Sequence, residues 1–215
     1  MAAVGLAPAS AAIIAVAGGG TAQASTQLCD KYGSTVVRDP LRRHEQPLGA
    51  DTPQCLSVTG TGFAVTADHH RPTNGAPASY TAVHYSCHYG NCSPGTDLPM
   101  RIGRSAVPAT VCASPTPSGG THSVSYAIWL DPAPNTQVVS KQELMIWFAK
   151  RGPIRPVGAK VATATVDGGA WNVWFGFNGT SYVVAYVARS SITMWSFDVR
   201  GFITNVKKRS KVIDA

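Results

Sequence analysis

Three positions on one side of a single predicted strand carry residue types that could do chemistry. The stretch Lys141 to Lys150, KQELMIWFAK, is apolar, β-favouring and of strand length. Side chains alternate between the faces of a strand, so Glu143, Met145 and Trp147 share one face. An indole ring can stack on a sugar, and a carboxylate beside it could act on a glycosidic bond. The alternative is a half-exposed strand with a mixed outer face, and the residues alone leave both interpretations open.

Strand-like runs recur along the chain between turn signals. They are 55–68, 123–130, 142–149, 160–168, 170–179, 181–188 and 192–199. The segments DGG and FNGTS, at 167–169 and 177–181, are typical of hairpin turns, and a short helix is plausible in 200–211. This pattern predicts an antiparallel all-β sandwich or barrel. Trp171 or Trp174, together with Trp195, could extend an aromatic surface around the glutamate.

Composition narrows the class of protein. The 215 residues suffice for one domain with a core, and 13% charged residues with 21 Gly and 15 Pro favour a turn-rich β fold. The net charge of +7 comes without a basic stripe interleaved with aromatics, so we expect no nucleic-acid partner. The alternative, a basic β-sandwich that binds an anionic partner through 206–211, would show strongly salt-dependent binding.

The N-terminus has the character of an export signal. Residues 9–20 are apolar and run into Ala22-Gln23-Ala24, a small-x-small cleavage pattern. The run is too short and too rich in Gly to span a membrane. We therefore expect a signal-peptide-like segment over 1–24, one domain over 25–215, a secreted protein and no membrane partner. A plain Ala/Gly tail is the alternative.

Five cysteines fit an oxidising compartment. Cys29 and Cys55 flank one segment, and Cys87 and Cys92 flank another, so we expect two disulfides with Cys112 left over. A zinc site using Cys87, His88 and Cys92 is the alternative, but its spacing is loose and we expect no metal. A bridge between Cys29 and Cys55 would stabilise the fold by about 3 kcal/mol.

Taken together, several segments resemble glycoside hydrolase family 12, a family of secreted endoglucanases, with the closest likeness to bacterial cellulases. They are CHYGNCSPGTDLPMRI, IWLDP, QELMIWFAKRGPIRPVG, WNVWFGFNG and ITMWSFDV, in family order over residues 27–205. The resemblance implies a β-jelly roll of two curved antiparallel sheets, with a glucan-binding cleft in the concave one. It also implies retaining hydrolysis of β-1,4-glucans by two glutamates and no cofactor. The glucan could be cellulose, mixed-linkage glucan or xyloglucan.

By the same resemblance, individual residues acquire roles. Glu143 matches the nucleophile, and its neighbours in the family motifs match substrate-binding positions. These are Met145, Trp147, Trp129, His88 and Pro153. The loop GPIRPVG at 152–158 is either a plain connection or the rim of the cleft.

The chain also departs from the family pattern. The family's acid/base glutamate lies in a later segment resembling W-Y-L-x-x-V-x-x-G-F-E, and the sequence ends at Ala215 before any such segment. Asp198 is the first candidate to replace it. The family has Y-D-I-W where this chain has YAIW, so Ala127 cannot assist the nucleophile, and Asp131 is too far along the strand to substitute. A glucan-binding relic without turnover is therefore the alternative to an active cellulase.

A third departure is LRRHEQPLG, Leu41 to Gly49, which replaces the family's Y-x-V-x-N-N-x-W-G and is a poor strand by composition. A one-base shift in one permitted codon choice gives Tyr-Val-Val-Met-Asn-Asn-Arg-Trp-Gly. We hypothesise that residues near 38–50 are read out of frame, which the gene sequence decides. Glu45, the chain's one other glutamate, would then be an accident of frame.

Overall fold

The computed structural model describes eleven stretches of the chain. They are residues 25–38, 41–47, 53–59, 63–68, 77–84, 87–88, 91–93, 98–99, 108–112, 120–133 and 140–209. The signal-like segment 1–24 lies outside the described residues, so its export function stays a prediction. In the described part of the chain, no helix is both long enough and apolar enough to cross a membrane.

Fifteen strands and one helix make up the described structure, which confirms the all-β prediction. The strands are β1 (Thr26–Leu28), β2 (Ser34–Arg38), β3 (Leu41–Pro47), β4 (Gln54–Val58), β5 (Phe63–Asp68), β6 (Ser79–His84), β7 (Cys87–His88), β8 (Asn91–Cys92), β9 (Pro108–Cys112), β10 (His122–Leu130), β11 (Gln142–Arg151), β12 (Ala159–Val166), β13 (Gly169–Phe177), β14 (Tyr182–Ala188) and β15 (Met194–Asp198). The helix, α1, covers Val199–Lys207 and overlaps the predicted 200–211.

A five-stranded sheet in the order β10-β11-β14-β13-β12 carries most of the second half of the chain. Both predicted turns join its strands, and Asp167 sits at φ 48° in the β12–β13 turn, as a hairpin of this type requires. One pairing differs from the antiparallel expectation, because β11 and β14 run parallel. The chain leaves β11, forms the β12–β13 hairpin and returns, so β14 enters the sheet in the direction of β11.

One face of this sheet, the core face, packs against α1 and β15. Its buried side chains include Leu144, Ile146 and Phe148 of β11. The apolar stripe of α1, with Phe202 and Val206 among its buried residues, covers the sheet from outside. The helix is fixed to β14 by a hydrogen bond that the Tyr186 hydroxyl donates to Oδ1 of Asn205 at 2.8 Å.

The first third of the chain forms two smaller sheets, β1-β4-β5 and β2-β3-β6. They pack on each other through Leu56, Phe63 and Val83. Gln54 of β4 also donates a hydrogen bond from Nε2 to the Thr81 hydroxyl of β6, and both residues are buried. A buried amide must find such a partner, so this contact fixes how the two layers align.

The stretch from Leu41 to Gly49 was expected to be a poor strand, and this expectation is wrong for the backbone. Leu41–Pro47 forms β3, which pairs with β2 on one side and β6 on the other. Pairing on both edges satisfies the backbone whatever the side-chain propensities, and Pro47 stands at the strand end, where it is tolerated. Glu45 is in register with Thr81. The side chains of β3 lie outside the described residues, so the frame hypothesis stays open.

Of the two predicted disulfides, Cys29–Cys55 is present. Cys87 and Cys92 stand directly opposite each other in the β7–β8 hairpin. Their side chains, and those of His88 and Cys112, lie outside the described residues, so the second bridge and the zinc alternative stay untested. The bond that is present ties the end of β1 to β4 and closes the first layer of the fold.

Candidate active site

The face of the five-stranded sheet opposite the core carries the three residues singled out by type. Leu144, Ile146 and Phe148 are buried in the core. Glu143, Met145 and Trp147 therefore point to the other side, which we call the site face. The predicted alternation on β11 is confirmed, and the glutamate lies on a central strand, with β10 and β14 on its two sides.

The strand registers place the neighbours of these side chains. On β10, Trp129 is opposite Glu143, Ala127 is opposite Met145 and Ser125 is opposite Trp147. Directly paired residues share a face, so the resemblance-derived Trp129 is brought beside the glutamate. Ala127 lies diagonal to Glu143, at the position where the family pattern has an aspartate. Its methyl group offers the carboxylate no hydrogen bond.

On the other flank, the site face is apolar. Val183, Ala185 and Val187 of β14 are the register partners of Glu143, Met145 and Trp147, and all three are buried. A carboxylate in these surroundings has lost much of its hydration, so its charged form is disfavoured.

Of the tryptophans considered for an aromatic surface, one reaches the site face. Trp174 is opposite Ala185 of β14, and Ala185 is opposite Met145 of β11, so Trp174 lies on the site face in the same row as Met145. Of the two alternatives on β13 the site therefore receives Trp174 and not Trp171, and the prediction for Trp195 is wrong. Trp171 is fully buried in the core, donates its Nε1 hydrogen to the Val166 carbonyl at 3.1 Å and packs on Trp195 with ring centroids 5.5 Å apart. Trp171 and Trp174 are three positions apart on β13, so their side chains point to opposite faces and only one of them can lie on the site face.

Glu143 has the perturbed ionisation expected of a functional carboxyl. Burial raises the pKa of Glu143 from 4.5 to about 7. Burial, and then the charge of Glu143, raises the pKa of Tyr80 to about 12. Because the charge of Glu143 acts on Tyr80, β6 of the neighbouring sheet also lies close to the site. Tyr80 was missed from the sequence, because it lies 63 residues before Glu143 on a strand with no motif of its own.

Trp147 offers an unused hydrogen-bond donor on the site face. The side chain is 5% exposed, and its indole Nε1 is the one buried side-chain nitrogen or oxygen without a partner in the described part of the chain. A buried donor left unpaired is costly, so such groups are uncommon unless a ligand or water completes them. The indole N–H is therefore available to a hydroxyl of a bound molecule.

The loop 152–158 crosses the site face. It leaves β11 at Arg151 and enters β12 at the opposite end of the sheet, so it must pass β14 and β13. A Cβ on Gly176, which shares a row with Glu143 through Val183, would come within 2.7 Å of the Val157 carbonyl oxygen. The loop thus borders the site, which agrees with its interpretation as the rim of the cleft. Pro153 is exposed at its start, at the end of β11 remote from the glutamate, and its substrate contact stays a prediction.

Closure of this loop depends on Gly158. We expect Gly158→Ala to lower the free energy of unfolding by about 2–4 kcal/mol. Its φ is +84°, and a Cβ would lie 2.0 Å from the Phe175 carbonyl oxygen. Gly168→Ala is the matched control, since its φ is +75° and nothing lies within 4 Å; strain alone should cost about 1 kcal/mol. Equal losses for the two variants in urea unfolding would show that the loop does not press on β13.

Three described aspartates in the second half of the chain have structural roles. Asp131 accepts hydrogen bonds from the backbone nitrogens of Ala133 and Lys141, at 3.0 and 3.1 Å, and so holds the start and end of the loop between β10 and β11. Asp167 occupies the β12–β13 turn. Asp198 is the N-cap of α1, where its carboxylate accepts from the Arg200 backbone nitrogen. Asp198 also forms an ion pair with the Arg200 side chain at 2.7 Å.

Asp198, the first candidate for a substitute acid, is therefore expected to matter for stability and not for turnover. Asp198→Ala removes the helix cap and should lower the free energy of unfolding by about 1 kcal/mol. Asp198→Asn keeps a capping oxygen and loses mainly an ion pair that is partly exposed, so its loss should be smaller. Thermal melts and hydrolysis assays of both variants check this. A folded Asp198→Asn protein that has lost turnover would return Asp198 to the catalytic machinery.

Comparison with known proteins gives a consistent result. Residues 49–215 match the family model described as glycosyl hydrolase family 12. The chain is 39% identical over 121 residues to the Mycobacterium tuberculosis protein named "Probable cellulase Cel12b", which is 56% of this chain and 80% of that protein.

Solved structures agree with the sequence match. The structure of endo-1,4-β-glucanase CelB2 superposes with a TM-score of 0.79 at 44% identity, covering 87% of this chain and 86% of that one. Endoglucanase Cel12A from Rhodothermus marinus gives a TM-score of 0.80 at 30% identity, covering 88% and 85%. The predicted jelly-roll fold is confirmed by these matches.

Proposed function

Because the chain belongs to glycosyl hydrolase family 12, we propose that it is an endo-β-1,4-glucanase that acts with retention of configuration and uses Glu143 as its nucleophile. The observation that carries the proposal is the position of this glutamate. It lies on a central strand of the site face, between Trp129 and Val183, with Met145 and Trp147 beyond it. Family members act on β-glucans, and an indole-lined face with one perturbed carboxyl suits a neutral sugar chain.

In the first step, a Glu143 oxygen attacks the anomeric carbon of the sugar bound beside it. The bond from that carbon to the glycosidic oxygen breaks, and the leaving oxygen takes a proton from a general acid. In the second step, water gives a proton to the same group and attacks the anomeric carbon, which releases Glu143. Two inversions give net retention.

The chain's own groups also prepare the substrate. Trp129 flanks the glutamate and provides an apolar surface for a sugar ring. The unpartnered N–H of Trp147 can donate to a sugar hydroxyl. The loop 152–158 borders the site where its Val157 carbonyl lies close to Gly176.

A retaining mechanism needs a second carboxyl about 5–5.5 Å from the first. Asp131, Asp167 and Asp198 are held in a loop, a turn and a helix cap. We therefore propose that the acid is a group other than these three. Turnover is the direct test of whether this polypeptide provides one.

Purified residues 25–215 should release reducing ends from a soluble β-1,4-glucan and lower its viscosity early, as internal cleavage requires. Proton NMR of the first product should show the β-anomer. Parallel assays on mixed-linkage glucan and xyloglucan rank the substrates. A folded protein that binds glucan but gives no reducing ends would contradict the proposal and establish the non-catalytic alternative.

A further inference from the structure

Three aromatic side chains stand exposed together at one end of β13 and β14. Phe175, Phe177 and Tyr182 are 37%, 54% and 43% exposed. The rings of Phe175 and Tyr182 are nearly parallel, with centroids 5.9 Å apart and an interplanar angle of 12°. The rings of Phe177 and Tyr182 are 5.2 Å apart. We call these three residues the aromatic platform.

The platform is separate from the site described above. Phe175 and Phe177 alternate with Gly176, which faces the site, so they point to the opposite side of the sheet. Further along β13 on that side, Val173 and Trp171 are fully buried in the core. The platform thus continues the apolar stripe of the core face beyond the region that the core covers.

The size of the platform argues against a second protein as its partner. A fully buried aromatic side chain covers about 150–250 Å², so the exposed parts of these three rings amount to roughly 300 Å². A stable protein interface takes about 800 Å² from each partner. An exposed apolar patch of a few hundred Å² is within the range found on monomers, where such a patch is often functional.

The chemistry of the platform fits a sugar chain. The rings of Phe175 and Tyr182 stack with an offset, so each keeps an exposed apolar part that a sugar ring can contact. The Tyr182 hydroxyl is a donor and acceptor beside them. The adjacent turn adds exposed polar groups in Asn178 and Thr180, and the turn is rigid because Asn178 Oδ1 accepts from Thr180 N and Ser181 N, at 3.0 and 2.8 Å. The three rings carry no charge, which suits a neutral ligand.

We propose that the aromatic platform of Phe175, Phe177 and Tyr182 is a second, non-catalytic binding surface for a neutral β-glucan chain. The choice of glucan as the ligand rests on the proposed function. The platform holds the enzyme on an insoluble polymer while the opposite face acts on a chain.

The test uses the full chain carrying Glu143→Gln, so that the polymer is not degraded, and amorphous cellulose as the probe. The variant Phe177→Ser/Tyr182→Ser removes the platform. The control Val161→Ser/Met194→Ser removes two other exposed apolar side chains, 57% and 72% exposed. Depletion from solution gives the partition coefficient of each protein. We expect it to fall about tenfold for the platform variant, the order of two aromatic contacts, and to stay within about twofold for the control.

The outcomes separate this proposal from the function of the site. An unchanged partition coefficient in a platform variant whose melting curve matches the parent overturns the platform. So does self-association of the parent in sedimentation that the platform variant loses, since the occupant would then be a second copy. With Glu143 restored, the platform variant should hydrolyse soluble glucan at the parent rate. Platform-dependent binding in a protein that hydrolyses no glucan would sustain the platform and remove the proposed activity.

Discussion

Glu143→Gln should reduce hydrolysis of a soluble β-1,4-glucan by about 10⁴-fold or more, the scale of loss when a catalytic nucleophile is removed. The amide has nearly the shape of the carboxyl, so the packing against Trp129 and Val183 is kept. It cannot form the glycosyl ester on which the proposed mechanism depends. Reducing-end release under identical conditions measures the loss.

Asp198→Asn is the matched control for this experiment, because it is also an acid-to-amide change but lies in the cap of α1. It should keep the parental rate. If Glu143→Gln retained more than about a tenth of the activity, the Glu143 carboxylate could not be the nucleophile, because removing a catalytic nucleophile leaves far less activity than that.

The same substitution should stabilise the protein at alkaline pH. The pKa of Glu143 is about 7 in the folded protein against 4.5 as reference. Between these values the folded state binds a proton that the unfolded state has released, so stability falls as pH rises through this window. The loss is complete above pH 7 and amounts to the order of 3 kcal/mol. Glutamine never ionises, so the variant escapes this loss.

Thermal melts across pH check the prediction. Wild type and Glu143→Gln should melt together near pH 4.5 and separate by roughly 6–12 °C at pH 8, the variant being higher. Asp198→Asn should show no such pH-dependent gain. A constant difference between wild type and Glu143→Gln at all pH values would mean that Glu143 is ionised in the fold with a compensating partner. In that case the rising limb of kcat/KM with pH should lie well below pH 7. If Glu143 instead ionises near pH 7, the rising limb should lie near pH 7 and report this ionisation.

Local pattern was enough to place Glu143. The alternation in KQELMIWFAK separates Leu144 and Ile146 from Glu143 and Met145, and the structure buries the first pair in the core. The strands from β10 to β15, and α1 after them, also follow from local signals, because they are apolar runs between turn segments and two of those turns are Gly-containing hairpin turns. The likeness of the motifs to a known family then supplied a role for the glutamate that its surroundings alone left open.

Other features depend on contacts distant in sequence. Trp171 and Trp174 look equally suited to the site, and which of them is buried depends on the side of β13 that α1 covers. Leu41–Pro47 forms a strand because β2 and β6 both pair with it. Tyr80 reaches the site from another sheet. None of these outcomes has a local signal, since each is decided by a neighbour that the chain reaches later or left earlier.

The parallel pairing of β11 with β14 also affects how the chain folds as it is made. β11 ends at Arg151, and its second neighbour is complete at Ala188. At synthesis rates of 5–20 residues per second, the strand that carries Glu143 waits roughly 2–7 s with a bare edge. The unpaired backbone groups of such an edge, on a strand that also carries the apolar Leu144 and Ile146, can pair with another nascent chain. Slow or interrupted translation between these two positions should therefore favour aggregation, and the hairpin of β12 and β13 limits this risk because it folds locally and brings β14 back.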